Sequence, residues 1–171
     1  MMTPEDVLAE LSTEQSVPPR EVLAAADEQR EALVGPLLQV IERGLTDSLG
    51  ATAEDAALFC YAVYLLAKWR EARAYPLIIR WLSLPGEGAF DIAGDVPTQD
   101  GARILAAVCH GNLDPMKSLV LNRSANEFCR SVALSALALL AAWGEVAYDS
   151  DRKSTRLNSS HIQKSRMPSS A

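Results

Sequence analysis

The sequence predicts an all-α fold assembled from paired helices, and three observations predict it. Apolar residues recur at spacings of three and four rather than two, so strand patterns are nearly absent. Helix-start signatures recur along the chain, each a polar cap followed by proline or by acids. The third observation is a repeat: Pro36-Leu37-Leu38, Pro76-Leu77-Ile78 and Pro115-Met116 lie 40 and 39 positions apart, each behind another apolar segment. Leu65 to Ala72 is echoed by Leu139 to Val146, 74 residues later and about two periods away. A period near forty with two helices per unit is the signature of HEAT- and armadillo-like α-solenoids, whose paired antiparallel helices bury an apolar face only against neighbouring units.

Taken in order, the first helix is predicted over 4–11, with Thr3 as cap, Pro4 at the first helical position and Glu5 and Asp6 where free amides and the helix dipole favour acids. Helices over 20–29 and 33–44 follow, then a long apolar one over 53–70 and a shorter one over 73–83. The stretch from Gly86 to Pro97, with Pro85, Gly88 and Gly94, reads as one long loop. Thr98 is placed to cap a helix over 99–109, Asp114 before Pro115 to open one over 115–121, and Ser124-Ala125-Asn126-Glu127 has capping-box spacing for a last helix over 125–145. That makes three and a half units, so the last helix lacks a following partner. Its apolar flank is expected to face water and to promote self-association, as in a solenoid truncated at its C-terminal end.

Of 171 residues, 49% are apolar and 22% charged, the composition of a globular chain with a core. The longest apolar runs, 56–67 and 132–143, are shorter than the roughly 20 residues a spanning helix needs. The acidic start, Met1 to Asp6, lacks the layout of a secretory signal. Cys60, Cys109 and Cys129 form no Cys-x-x-Cys pair, which fits a reducing compartment, so the chain is expected in the cytoplasm.

From Asp151 the chain turns polar, serine-rich and basic. Asp151 to His161 resembles the in-frame translation of a constant stretch of sequencing-library adapter, and Ser165 to Ala171 that of the next, with Ile162-Gln163-Lys164 in the place of the variable index. Residues 1–150 are therefore expected to form one helical-repeat domain and 151–171 a non-native or disordered tail. The tail holds five of the 16 basic residues and one of the 22 acidic ones, leaving 11 against 21 and a net charge of −10 in residues 1–150. Such a surface repels phosphate backbones and anionic bilayers, which excludes nucleic acid and membranes as expected partners.

Two runs carry a family resemblance: Ala74-Tyr75-Pro76-Leu77-Ile78-Ile79-Arg80-Trp81-Leu82-Ser83-Leu84-Pro85, and Gly94-Asp95-Val96-Pro97-Thr98-Gln99-Asp100-Gly101-Ala102-Arg103-Ile104-Leu105-Ala106. Together with Glu21, Glu28 to Glu31 and the 122–133 segment, they resemble the bacterial family known as Domain of Unknown Function 1186 over nearly all of residues 3–147. The resemblance implies a HEAT-like array of unassigned activity, whose longer members often end in a zinc-binding SEC-C tail. No cysteine-rich tail is present, so the resemblance also points to an adaptor whose zinc site lies in a missing part.

Among chemistry-bearing residues, Cys109 beside His110 invites a metal reading, since thiolate and imidazole suit zinc. Adjacent ligands seldom converge on one ion, and cysteines within apolar helices behave as small core residues, so no metal and no cofactor is predicted. His110 ends a helix, where it complements the carboxyl-end dipole. Glu87, Asp91, Asp95 and Asp100 ahead of Arg103 form the distinctive polar region. It reads as a solvated loop whose acids cap backbone amides while Arg103 braces a carboxylate, as a partner-contacting loop, or as a carboxylate pair dividing acid and base work. The partner-binding candidates are Asp91, Asp95, Asp100 and Arg103; no catalytic residue is assigned. Lys68, Arg70, Arg73 and Arg80 are the one basic concentration, read as dipole-complementing cations or an anion site. Trp69 and Trp143 occupy equivalent repeat positions and, with Trp81 and the alanines from Ala133 to Ala142, are read as packing devices.

The function these features predict is a non-enzymatic scaffold holding a protein or peptide partner. The alternative is an enzyme or small-ligand binder using 87–103.

Overall fold

The computed structural model describes residues 1–13, 15–47 and 52–144. Among them the chain forms nine helices and no strand: α1 (Pro4–Leu11), α2 (Arg20–Glu28), α3 (Arg30–Thr46), α4 (Ala53–Lys68), α5 (Ala74–Leu82), α6 (Gly88–Ala93), α7 (Val96–Val108), α8 (Asp114–Leu121) and α9 (Glu127–Ala142). The tail expected at 151–171 and the Glu145-Val146 end of the echo lie outside the described residues.

α1 begins as its residues dictate. Thr3 Oγ1 accepts from the Asp6 amide at 3.2 Å while Asp6 accepts from the Thr3 amide at 2.8 Å, a reciprocal box. Thr52 and Asp55 build the same box at the start of α4, with both amide bonds at 3.1 Å.

Four expectations are corrected. α3 starts at Arg30, so Pro36 sits inside it rather than at a helix start, whereas Pro76 and Pro115 do lie in the first turns of α5 and α8. An interior proline withholds the amide that the carbonyl four residues back would accept. Here that residue, Ala32, is exposed, where water takes over. The predicted loop 86–97 instead contains α6, and α7 begins at Val96. Ala89, Ile92 and Ala93 give α6 a buried face, and Gly94, at φ 56°, ends it in the left-handed conformation that glycine adopts without steric cost. Thr98 consequently lies inside α7, its hydroxyl donating to the Asp95 carbonyl at 3.1 Å. Asn126, not Ser124, caps α9, accepting from the Phe128 amide at 2.9 Å.

The core is one contiguous apolar cluster running from Val7 on α1 to Leu140 on α9. α4 is its centre, packed against α1, α3, α5, α6 and α7, while α7 packs on α9 and α8 on both α5 and α9. Trp81 is fully buried, edge-on to Phe59 with ring centroids 5.4 Å apart, and its indole donates to the Ala89 carbonyl at 3.0 Å. Among the described residues no buried side-chain nitrogen or oxygen lacks a hydrogen-bond partner.

Polar bonds between elements recur at a common sequence separation. Arg30 donates to the Trp69 carbonyl, Tyr64 to Asp100, Tyr75 to the Asn112 carbonyl, His110 to the Arg70 carbonyl and Asn126 to the Gly86 carbonyl, all across 36 to 40 residues. His110 and Arg70 both occupy positive φ just past a helix end, at 45° and 53°. His110 thus satisfies a carbonyl beyond the end of α4 rather than one of its own helix. Trp69 and Trp143 are both C-caps, of α4 and α9, but Trp69 is 8% exposed and Trp143 51%. Leu121 on α8 and Phe128 and Leu134 on α9 are also exposed among the described residues. No helix among the described residues is long and apolar enough to cross a membrane.

Candidate functional site

α4 carries no charge between Asp55 and Lys68, so it is apolar nearly all round. A helix of that kind requires cover on every side. It is not covered on every side. Ala57, Cys60, Tyr61, Tyr64, Leu65 and Lys68 lie at successive spacings of three, one, three, one and three, which places them on one stripe. With Leu23 of α2 and Pro18 before it, this stripe lines a groove of about 490 Å³. Leu65 is buried and forms the floor; Ala57, Cys60, Tyr61 and Leu23 are half-buried; Tyr64 and Lys68 are exposed at the mouth.

Polar contacts border the groove. At the Lys68 end, Lys68 pairs with Asp27 of α2, whose other carboxylate oxygen accepts from the Trp69 indole at 2.8 Å. The Lys68 bond, then that of Trp69, holds the Asp27 carboxyl below its ordinary range. One turn earlier on α4, the Tyr64 hydroxyl donates to Asp100 on α7 at 2.7 Å. Desolvation first, and the bonded Asp100 second, push the Tyr64 phenol well up, so it stays a neutral donor. Cys60, a further turn earlier, has its Sγ 4.0 Å from the Ala93 carbonyl, and burial raises its thiol.

Of the four candidates read from sequence, only Asp100 is joined to this site. Asp91 is exposed on α6, Asp95 is exposed at the N-cap of α7 without a side-chain cap bond, and Arg103 is exposed further along α7. Among the described residues Arg103 takes part in neither of the ion pairs Lys68–Asp27 and Arg73–Glu71, and it braces no carboxylate there. Of the basic concentration, Lys68 and Arg73 are neutralised by these carboxylates rather than gathered into an anion site. The groove residues went unread because an uncharged run signals burial; its length, twelve residues without a charge, was the available hint.

A second hollow, of about 240 Å³, lies between the end of α3 and the start of α4, with Arg43, Asp47 and Asp55 at its polar side. Asp55 is already committed to the Thr52 cap, which holds its carboxyl low. Among the described residues no three His, Cys, Asp or Glu side chains gather as metal ligands would. Cys109 and Cys129 are buried free thiols, and burial, then the nearby Glu87, pushes Cys129 up to about 11. The groove therefore offers apolar surface, two phenols and a thiol, bordered by the Asp27 and Asp100 carboxylates, a set suited to recognition. A thiol held protonated without a neighbouring base is a poor nucleophile.

A family model described as protein of unknown function (DUF1186) matches residues 2–156. An uncharacterized protein of Chlamydia muridarum (strain MoPn / Nigg) is 35% identical over 136 residues, covering 78% of this chain and 54% of that protein. An uncharacterized protein of Chlamydia trachomatis serovar D is likewise 35% identical over 136 residues, covering 78% of this chain and 53% of that protein. The chain spans about half the length of these curated relatives. No solved structure matches it.

Proposed function

The chain belongs to the DUF1186 family of proteins of unknown function, and from that premise we propose that it is a helical-repeat interaction module holding a protein or peptide partner in the α2–α4 groove. The observation that carries this reading is the half-covered stripe on α4, an otherwise enclosed helix. Large exposed apolar surface beside a rigid helical frame is how partner sites are built. The solenoid reading draws its support from hydrogen bonds recurring at separations of 36 to 40 residues, close to the period of the sequence repeat. Three free thiols favour a reducing compartment, the cytoplasm.

The test is capture from a bacterial lysate by the tagged full chain, run beside Ala57→Arg, which puts a long cation in the groove without touching the core. A defined protein retained by the wild type and lost with Ala57→Arg supports the reading. Equal retention by both, or turnover of a small molecule with no protein retained, overturns it.

A further inference from the structure

We propose that the occupant of the α2–α4 groove is an amphipathic helix of about three turns whose polar flank sets Lys or Arg against Asp100. This rests on the interaction reading above and gives the partner its chemistry. The groove selects a helix by its spacing. Ala57, Tyr61, Tyr64 and Lys68 follow one another at four, three and four, the alternation with which one helix accepts the side chains of another. At 1.5 Å per residue the stripe is roughly 16 Å long, the length of about three helical turns. Ala57, the smallest lining residue, lets a backbone come close at its end.

The charges select the flank. Lys68 is already matched by Asp27 and attracts no further anion. Among the described residues Asp100 has a neutral phenol as its hydrogen-bond partner and no ion pair, so its charge is unspent. Asp91 and Asp95 flank Ala93, whose carbonyl lies against Cys60 of the groove, and both are exposed and outside the two ion pairs. Arg103 lies one turn beyond Asp100 on α7, but it faces three acids, Asp91, Asp95 and Asp100, and residues 1–150 carry 11 basic against 21 acidic side chains. An incoming cation therefore gains beside Asp100 and an incoming carboxylate is repelled.

Fluorescence anisotropy of the full chain with three labelled peptides of about 15 residues tests this: an apolar-faced helix with a Lys flank, the same helix with a Glu flank, and the Lys composition shuffled to abolish the face. The Lys-flanked helix should bind most tightly, by roughly tenfold over the Glu version at low salt, with the gap closing as salt is added. Ala57→Arg should abolish binding, and Asp100→Asn should narrow the Lys-over-Glu preference while binding persists. Equal or tighter binding of the Glu helix in an Ala57→Arg-sensitive manner overturns the charge assignment and leaves the interaction module standing. Equal binding of the shuffled peptide, or none of any peptide, overturns the helical occupant, and the lysate capture then decides the broader reading separately. A dimer in sedimentation that Ala57→Arg dissolves also overturns it, since a second copy would then fill the groove.

Discussion

A Cβ placed on Gly101 of α7 would stand 2.7 Å from Cγ1 of Val132 on α9, closer than real side chains approach. The two helices meet there with no space for another methyl. Alanine at 101 would gain about 1 kcal/mol of helix propensity, but Val132 is branched, buried and stiff at χ1, and overpacking costs about 1–3 kcal/mol. Gly101→Ala should therefore lose about 1 kcal/mol net in urea unfolding. On a Val132→Ala background the same change should stabilise, because the obstruction is gone. Stabilisation in the wild-type background would show that α7 and α9 slide apart freely.

Trp81 anchors the central packing. It touches Phe59 edge-on and satisfies the Ala89 carbonyl that α6 brings over it. Trp81→Ala should cost about 3–5 kcal/mol. Trp81→Phe should cost less, about 1–3 kcal/mol, mostly for the carbonyl left without its donor. Near-UV circular dichroism would check that the smaller ring keeps the core ordered.

Acid should weaken the fold through four carboxylates, Glu71, held low by its bonds from Arg73, and three others. Asp6 and Asp55 are held low by the backbone and side-chain bonds of Thr3 and Thr52, and Asp27 by Lys68 and Trp69. A folded-state pKa below the unfolded one stabilises above the unfolded value, and that stability is lost as pH falls through the folded one. Stability should thus be flat near neutrality and decline below about pH 4. Thr52→Ala should remove about 1 kcal/mol at neutral pH and flatten the acid limb. An unchanged limb would deny the box its role in solution.

Alkali acts with the opposite sign. Tyr64 is raised by desolvation and then Asp100, and Tyr75 is pushed up to about 12, chiefly by desolvation. A raised folded pKa stabilises below the unfolded value, and that contribution is lost as pH rises through the folded one. In an absorbance titration of phenolate, Tyr64→Phe should leave the amplitude below about pH 11 unchanged. A loss of one tyrosine's signal there would contradict the Tyr64–Asp100 bond.

Much of this fold could be read from the chain, for local reasons. Thr3-Pro4-Glu5-Asp6 carries its own cap, and the apolar runs of α4 and α5 declare themselves. α6 was illegible because Gly86, Gly88 and Gly94 signal a loop, while its six residues are fixed by tertiary burial of Ala89 and Ile92. Ser124 reads as the cap of α9, and Asn126 takes that place because its side-chain amide is held from outside the segment, donating to the Gly86 carbonyl and to Glu87. The groove was illegible for a related reason. A buried helix and a half-buried one have the same composition, and only the placement of α2 and α7 distinguishes them. Asp100 was found as one acid among four, but its partner 36 residues earlier was not.

The three cysteines, on α4, at the close of α7 and on α9, also turn the folded chain into its own stopwatch. Cys109 and Cys129 are buried in the native state, so an alkylating reagent reaches them only when their neighbourhood opens, whereas Cys60 is half-buried in the groove and reports on access there. Mass spectrometry of the modified peptides would then tell whether α7 or α9 opens first, with no label engineered in.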